Sequence, residues 1–391
     1  MNPEAMLADL EELVLCESYS SDLAAVERSA GAVAAQGARL LGAEPETIVI
    51  DGVTHLKWTF GTPRVLLLGH HDTVWPIGSL RAHPWSVVDG VARGPGAFDM
   101  KAGLVQLFHA LASLPSLDGV CVLVVGDEEL GSPTSRPLIE SVAAGLAATF
   151  VLEASADGGA LKTARKGVSR YELLVQGRAA HAGLEPERGA NAGVELAHQI
   201  LAITEIAQRV NSSSEAGMVS VTPTLLSSGT STNTVPAAGR VAIDVRVPDL
   251  ASQLKVDELM RALTPRLSGT RLELHGGPNR PPLDPASSAA LFARAVRLAD
   301  DLGIGPLEGV AVGGASDGNF TAGVGCPTLD GLGAVGGGAH AAHEHVIVAE
   351  MPVRARLVAA LVGSVLADTD PRPRPAAGAV TVPEPVPGAT P

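Results

Sequence analysis

The sequence predicts an α/β fold, a mostly parallel sheet layered by helices and interrupted by a smaller inserted domain. Three observations predict it. Val65–Leu68, Val120–Val125 and Phe150–Leu152 are short, wholly apolar runs that stop abruptly at polar residues, as strands buried on both faces do. Stretches of helical period precede and separate them. From Gly167 to about residue 278 the pattern shifts to half-exposed, alternating strands, after which buried runs resume at Gly309–Val312 and Thr328-Leu329.

Composition bounds the function. A chain of 391 residues exceeds one typical core and favours two domains. Its 46% hydrophobic and 18% charged residues describe a globular protein, and no apolar run reaches membrane-spanning length. Met1-Asn2-Pro3-Glu4 offers no basic segment ahead of an apolar core, so no secretory signal is expected and residence is expected to be cytoplasmic. Cys16, Cys121 and Cys326 are too few and too scattered for a disulfide framework. A formal net charge of −14 argues against nucleic acid and anionic membrane as partners, since both need a basic face. Anionic small substrates remain compatible with it, because a few focused arginines suffice to bind a carboxylate.

Taken in order, Met6, Leu7, Leu10, Leu13 and Val14 share one face of a helix; Asp22 is then placed to cap a second, alanine-rich helix reaching about Leu41. Strands are expected near Thr47–Ile50 and His55–Phe60, followed by Val65–Leu68, which runs into Gly69-His70-His71-Asp72-Thr73-Val74. Sites in open α/β sheets form outside the carboxyl ends of strands. His70 is therefore placed to offer a ring nitrogen to a metal, with Asp72 two residues on to hold its imidazole; an ordinary polar loop is the plainer reading. The glycine-rich turn from Arg93 to Gly103 delivers Asp99 just before a helix running from Ala102 to about Leu114. A carboxylate there can bridge two cations with its two oxygens, or cap a helix with no metal at all.

Val120–Val125 ends in Gly126-Asp127-Glu128-Glu129, and Phe150–Leu152 ends in Glu153. Neighbouring acids repel unless a cation lies between them or one is protonated. Together His70, Asp99, Glu129 and Glu153 make a nitrogen and oxygen set suited to zinc, with no thiolate needed.

From Gly167 the predicted elements are a strand at Val168–Gln176, a helix at Asn191–Val210, strands at Met218–Leu226 and Val241–Val247, a helix at Leu250–Leu267 and a strand at Arg271–His275. That βαββαβ order is the ferredoxin-like split unit. The expected domains are 1–166 with 279–369, and 167–278 inserted between them. Proline and alanine dominate 370–391, so this tail is expected to be disordered.

Two other motifs compete. Gly314-Ala315-Ser316-Asp317-Gly318 fits a G-x-S-x-G nucleophile elbow, with Asp330 and His340 downstream in the order a serine hydrolase wants. It leaves His70, Asp99, Glu128, Glu129 and Glu153 without a role. Gly331-Leu332-Gly333-Ala334-Val335-Gly336 matches G-x-G-x-x-G, but more glycines follow it where a dinucleotide fold needs a helix.

The ordered set Gly69-His70-His71-Asp72-Thr73-Val74, Gly94-Pro95-Gly96-Ala97-Phe98-Asp99-Met100-Lys101, Asp127-Glu128-Glu129, Glu153, Ala180-His181-Ala182-Gly183 and His340-Ala341-Ala342-His343-Glu344 resembles the M20 family of zinc metallopeptidases, most closely its glutamate carboxypeptidase branch. The resemblance runs from the N-terminal helices to about Ala367 and implies a zinc-exopeptidase-type α/β/α catalytic domain with an inserted lid that mediates homodimerisation. It implies two zinc ions per chain, with cobalt or manganese as substitutes: His70, Asp99 and Glu153 on one, Asp99, Glu129 and His340 on the other. Asp72 would orient His70, and Glu128 would be the general base. His181, Asn233, Arg246 and Arg280 match positions that contact the substrate's carboxylate or reacting carbonyl. For two of these the residues offer a plainer reading, since Arg246 can pair with Asp244 or Asp249 and His181 can be a packed loop residue. Met100 stands where some carboxypeptidase relatives have a second Asp, and Ala339 where some have Tyr, departures that touch pocket shape but no ligand.

The expected activity is hydrolysis of an amide or peptide bond beside a carboxylate-bearing amino acid, on a small peptide or N-acyl amino acid. The alternatives are an N-acyl-amino-acid deacylase of the same family, of acetylornithine or succinyl-diaminopimelate type, a serine hydrolase using Ser316, and a non-catalytic binding module.

Overall fold

Alternate residues of the strand Val65–His70 feed two different cores. Val65 and Leu67 join the helices Pro3–Leu15, Ala102–Ala112, Pro285–Asp301 and Glu350–Leu366, while Leu66 and Leu68 join Ile139, Ala143 and Phe320 on the opposite face. Val120–Val125 alternates the same way. Side chains on a strand point to opposite faces in turn, so an unbroken aliphatic run is what a sheet covered by helices on both sides requires. Truncating one such residue, Leu67→Ala for example, costs about 2–5 kcal/mol.

The computed structural model describes residues 1–212 and 217–368. The expected disorder of the 370–391 tail concerns residues outside that description. Among the described residues the chain divides into two units, the first made of Met1–Ala164, Leu283–Val312 and residues 316–368, the second of Arg165–Pro282 with Gly313–Ala315. Sequence patterning set the corresponding breaks at 167 and 278.

In the first unit a six-stranded sheet runs in the order Glu46–Ile50, Val53–Thr59, Val120–Val125, Val65–His70, Ala148–Val151, Thr328–Leu329. The last four are mutually parallel, and the first two form an antiparallel edge. Val65–His70 lies between Val120–Val125 and Ala148–Val151, so the carboxyl ends of these three parallel strands lie side by side. A small second sheet, Gly336–Gly337, His345–Ile347, Val91–Arg93 and Ser86–Val88, belongs to the same unit. Asp22 caps the helix Leu23–Leu41 by accepting from the Ala25 amide at 3.0 Å.

The second unit has the order strand Gly167–Gln176, helix Ala192–Asn211, strand Ser220–Ser228, strand Ala238–Val247, helix Leu250–Arg261, strand Arg271–Arg280. All its strand pairs are antiparallel, with Gly167–Gln176 between Ala238–Val247 and Arg271–Arg280. Tyr171, Leu173, Val175, Val241, Ile243 and Val245 pack under its two helices. The predicted helix to Leu267 stops at Arg261, because Pro265 lies just beyond and the residue before a proline disfavours helical backbone.

Candidate metal centre

Four acids and two histidines meet at the carboxyl ends of the three central strands. His70, the last residue of its strand, is 1% exposed. Its Nδ1 lies 2.9 Å from the backbone carbonyl of Asp72 and 3.4 Å from that residue's carboxylate. Two oxygens at Nδ1 fix a ring proton there and leave Nε2 as the nitrogen that a cation would take in place of a second proton. Nε2 is buried with no hydrogen-bond partner, 3.4 Å from Asp99 Oδ1 and 3.5 Å from Glu153 Oε1.

Asp99 faces both imidazoles. Its Oδ1 is buried and unpartnered on the His70 side, and its Oδ2 lies 3.3 Å from Nε2 of His340. His340 Nε2 is also 3.0 Å from Glu129 Oε1. Ligand atoms of His70, Asp99 and Glu129 lie within 4.8 Å of one another, and so do those of His70, Glu128 and Glu153. The two adjacent glutamates thus fall into two different groups that share His70.

The electrostatics follow from this crowding. Burial works against the Asp99 carboxylate, yet His340 and His70 hold it far below the ordinary carboxylate range. Burial pushes the Glu129 carboxyl up in spite of His340. Burial also opposes a charge on His70, but Asp72, Asp99 and Glu153 together raise it well above its usual value, and Asp99 and Glu129 push His340 up to about 10. Protons on the two imidazoles are therefore what balances the acids when no cation is bound.

Backbone packing sets the positions. A Cβ on Gly103 or on Gly333 would fall 2.1 Å from the carbonyl oxygen of Leu152, so two glycines press on the peptide that presents Glu153. Asp72, fully buried, accepts from the amide of Glu128 at Oδ1 and of Glu129 at Oδ2, each at 3.2 Å. Its carboxylate therefore holds the Glu128-Glu129 turn, while its carbonyl is the oxygen nearest His70. Sequence reasoning foresaw only the imidazole contact, because a bond to an amide more than fifty positions away leaves no local pattern. His71 Nε2 donates to the Thr54 carbonyl at 3.0 Å, and burial lowers its imidazole to about 4, which makes it a neutral structural group.

Ser316 is placed otherwise than the elbow reading requires. Its Oγ donates to Asp330 Oδ2 at 2.5 Å and accepts from the Gly318 amide at 3.1 Å, while the imidazole of His340 faces Asp99 and Glu129.

The other four predicted site residues lie in the second unit. His181 is exposed, and its Nδ1 accepts from the amides of Gly183 and Leu184, both at 3.1 Å. It bridges to Thr234, beside Asn233, whose backbone carbonyl accepts from Ala182 at 2.9 Å. Arg246 and Arg280 are both in register with Val168, one on each neighbouring strand, so the two arginines flank one residue. Arg280 is 6% exposed. Arg246 is held by Asp244 through two bonds of 2.8 and 3.1 Å, the plainer of its two sequence readings.

The donor set fits a divalent metal. A buried ring nitrogen and a buried carboxylate oxygen without hydrogen-bond partners, His70 Nε2 and Asp99 Oδ1, with further carboxylates close by, are what a borderline cation with nitrogen and oxygen ligands needs. A parallel sheet carrying such a cluster at its strand ends is the architecture of a metal-dependent hydrolase. The model of peptidase family M20/M25/M40 matches residues 66–364, and the chain belongs to this family of hydrolases. Carboxypeptidase G2 of Pseudomonas sp. (strain RS-16) is 28% identical, with 92% of this chain and 88% of that protein covered. Succinyl-diaminopimelate desuccinylase of Bradyrhizobium sp. (strain BTAi1) is also 28% identical, over 80% of this chain and 85% of that one. Among solved structures, an M20 family metallo-carboxypeptidase from Sulfolobus solfataricus shares the fold with a TM-score of 0.71 at 16% identity, covering 93% of this chain and 99% of that one. Aminopeptidase PepT from Bacillus cereus does so with a TM-score of 0.69 at 20% identity, covering 94% and 99%. Among the described residues no helix is long and apolar enough to cross a membrane.

Proposed function

We propose that this protein hydrolyses the amide bond of a small peptide or N-acyl amino acid beside a carboxylate-bearing residue, using two zinc ions held by His70, Asp99, Glu129, Glu153 and His340. The observation that carries this reading is Asp99, whose two oxygens face two different imidazoles, His70 and His340. When bound, the metals acidify a water and polarise the scissile carbonyl. Glu128 takes the water's proton and delivers it to the leaving nitrogen, and Asp72 keeps Glu128 and Glu129 in place through their amides. In the second unit, which we read as a lid and dimerisation domain, Arg280 and Arg246 bind the substrate carboxylate while His181 and Asn233 contact the reacting carbonyl. Cytoplasmic residence and a homodimer complete this reading.

The similarity to carboxypeptidase G2 supports a carboxypeptidase, and that to succinyl-diaminopimelate desuccinylase supports an N-acyl-amino-acid deacylase equally well. Metal analysis of protein purified without added zinc, followed by a hydrolysis screen of C-terminal glutamate peptides against N-acetyl and N-succinyl amino acids, separates the two. Hydrolysis undiminished in excess chelator would sink both.

A further inference from the structure

Glu344 lies outside the ligand set, yet its carboxylate is 3% exposed and fully engaged. Oε1 accepts from the amides of Phe98 at 2.9 Å and Asp99 at 3.0 Å; Oε2 accepts from the Trp75 indole at 2.7 Å and the Gly96 amide at 3.1 Å. A buried carboxylate spending three of its four accepted bonds on the backbone of one turn is costly to desolvate and must be matched by what it holds.

What it holds is the turn that carries Asp99. The strands Val91–Arg93 and His345–Ile347 pair antiparallel, with Arg93 opposite His345. The chain leaves the first strand into Gly94–Asp99 and enters the second from His340–Glu344. The latter segment is compact: Ala341 donates to Gly338, Glu344 donates to Ala341, and His340 sits at φ +61°. Gly96 is at φ +71° and a Cβ there would fall 2.4 Å from Thr73 Cγ2, so the turn has no room to move toward Thr73.

We infer that Glu344 is a positioning residue of the metal centre: it locks the Asp99 turn to the His340 segment, so that the bridging carboxylate and the second imidazole are presented together. This rests on the dizinc reading above. A glutamine at 344 offers one oxygen where two are used and turns an NH₂ group against backbone N–H donors. The turn then keeps at most two of its three bonds to this side chain, those of Phe98 and Asp99 or that of Gly96 alone. Because both Asp99 and His340 loosen, the ion they share with Glu129 loses the firm hold of two ligands and suffers more than the other, which loses that of Asp99 alone.

The test uses full-length protein stripped by chelator and titrated with cobalt, read by calorimetry and by the cobalt absorption bands, with metal-free thermal unfolding recorded alongside. For Glu344→Gln we expect one of the two cobalt ions to lose at least about tenfold in affinity, with the other within about threefold of wild type. Trp75→Phe removes one of the four donors and should weaken the same ion about threefold; it decides the matter if Glu344→Gln does not fold. Wild-type affinity for both ions in the folded variants, or equal weakening of both, overturns the proposal. A wild-type protein that takes up no cobalt overturns the dizinc reading itself, an outcome distinct from two ions bound equally by wild type and variant.

Discussion

The Glu129 backbone amide donates to Asp72 Oδ2 at 3.2 Å, while its own carboxylate reaches His340 at 3.0 Å, so one residue joins the floor of the centre to its far wall. Asp72 is thus tied at once to His70 and to both neighbouring glutamates. Asp72→Ala should weaken metal binding about 10- to 100-fold, measured by competition with a chromogenic chelator. An unchanged affinity would leave Asp72 as a folding residue only.

Glu128 and Glu129 should give opposite signatures. Glu128→Gln keeps size and hydrogen bonding but removes the proton acceptor, so two metals should remain while kcat falls by about 10²- to 10⁴-fold. Glu129→Gln replaces an anionic ligand with a neutral amide. Metal content should drop, and added zinc should restore part of the activity. The reverse pattern in metal analysis would exchange the two roles.

Much of this centre was legible because the sheet advertises it. Strands covered on both faces must be apolar throughout, so the polar residues that follow each run within a few positions, His70, Glu128-Glu129 or Glu153, mark a strand end as well as a candidate donor. The small sheet was not legible. Gly336–Gly337 has no side chains to alternate, and Ser86–Val88 and Val91–Arg93 are three residues each, too short for a period. The part played by Glu344 was hidden with it, since its partners lie some 250 positions upstream. Arg246 sits two residues from Asp244 on one strand face, and that pairing was readable from spacing alone.

Metal uptake should be strongly pH-dependent. His340 is raised to about 10 and His70 also well above its usual value, so both are protonated in the metal-free protein at neutral pH. Their protonation favours the metal-free fold fully below the unfolded value of about 6.5 and ceases to as pH rises through the folded one. Metal must displace these protons, so affinity should fall as pH falls. Calorimetry in buffers of different ionisation enthalpy should report release of about two protons per fully loaded chain. Release of none would mean that neither imidazole is a ligand.

The two arginines that flank Val168 should differ. Arg280→Ala should lower kcat/KM for an acid substrate about 100-fold and for its neutral amide far less. Arg246→Ala should cost less, because Asp244 already holds that guanidinium through two bonds. Equal losses on acid and amide would make Arg280 structural.

The centre draws its donors from both ends of a unit that the second unit interrupts, with His70 near one end of the chain's length and His340 near the other. During synthesis the acids and the first imidazole emerge long before the second imidazole and the Thr328–Leu329 strand that completes the sheet. A nascent or truncated chain ending before Gly338 therefore carries Asp99 and Glu129 without the imidazole that faces them. The site is thus completed only late in synthesis, and fragments released before His340 are born without it.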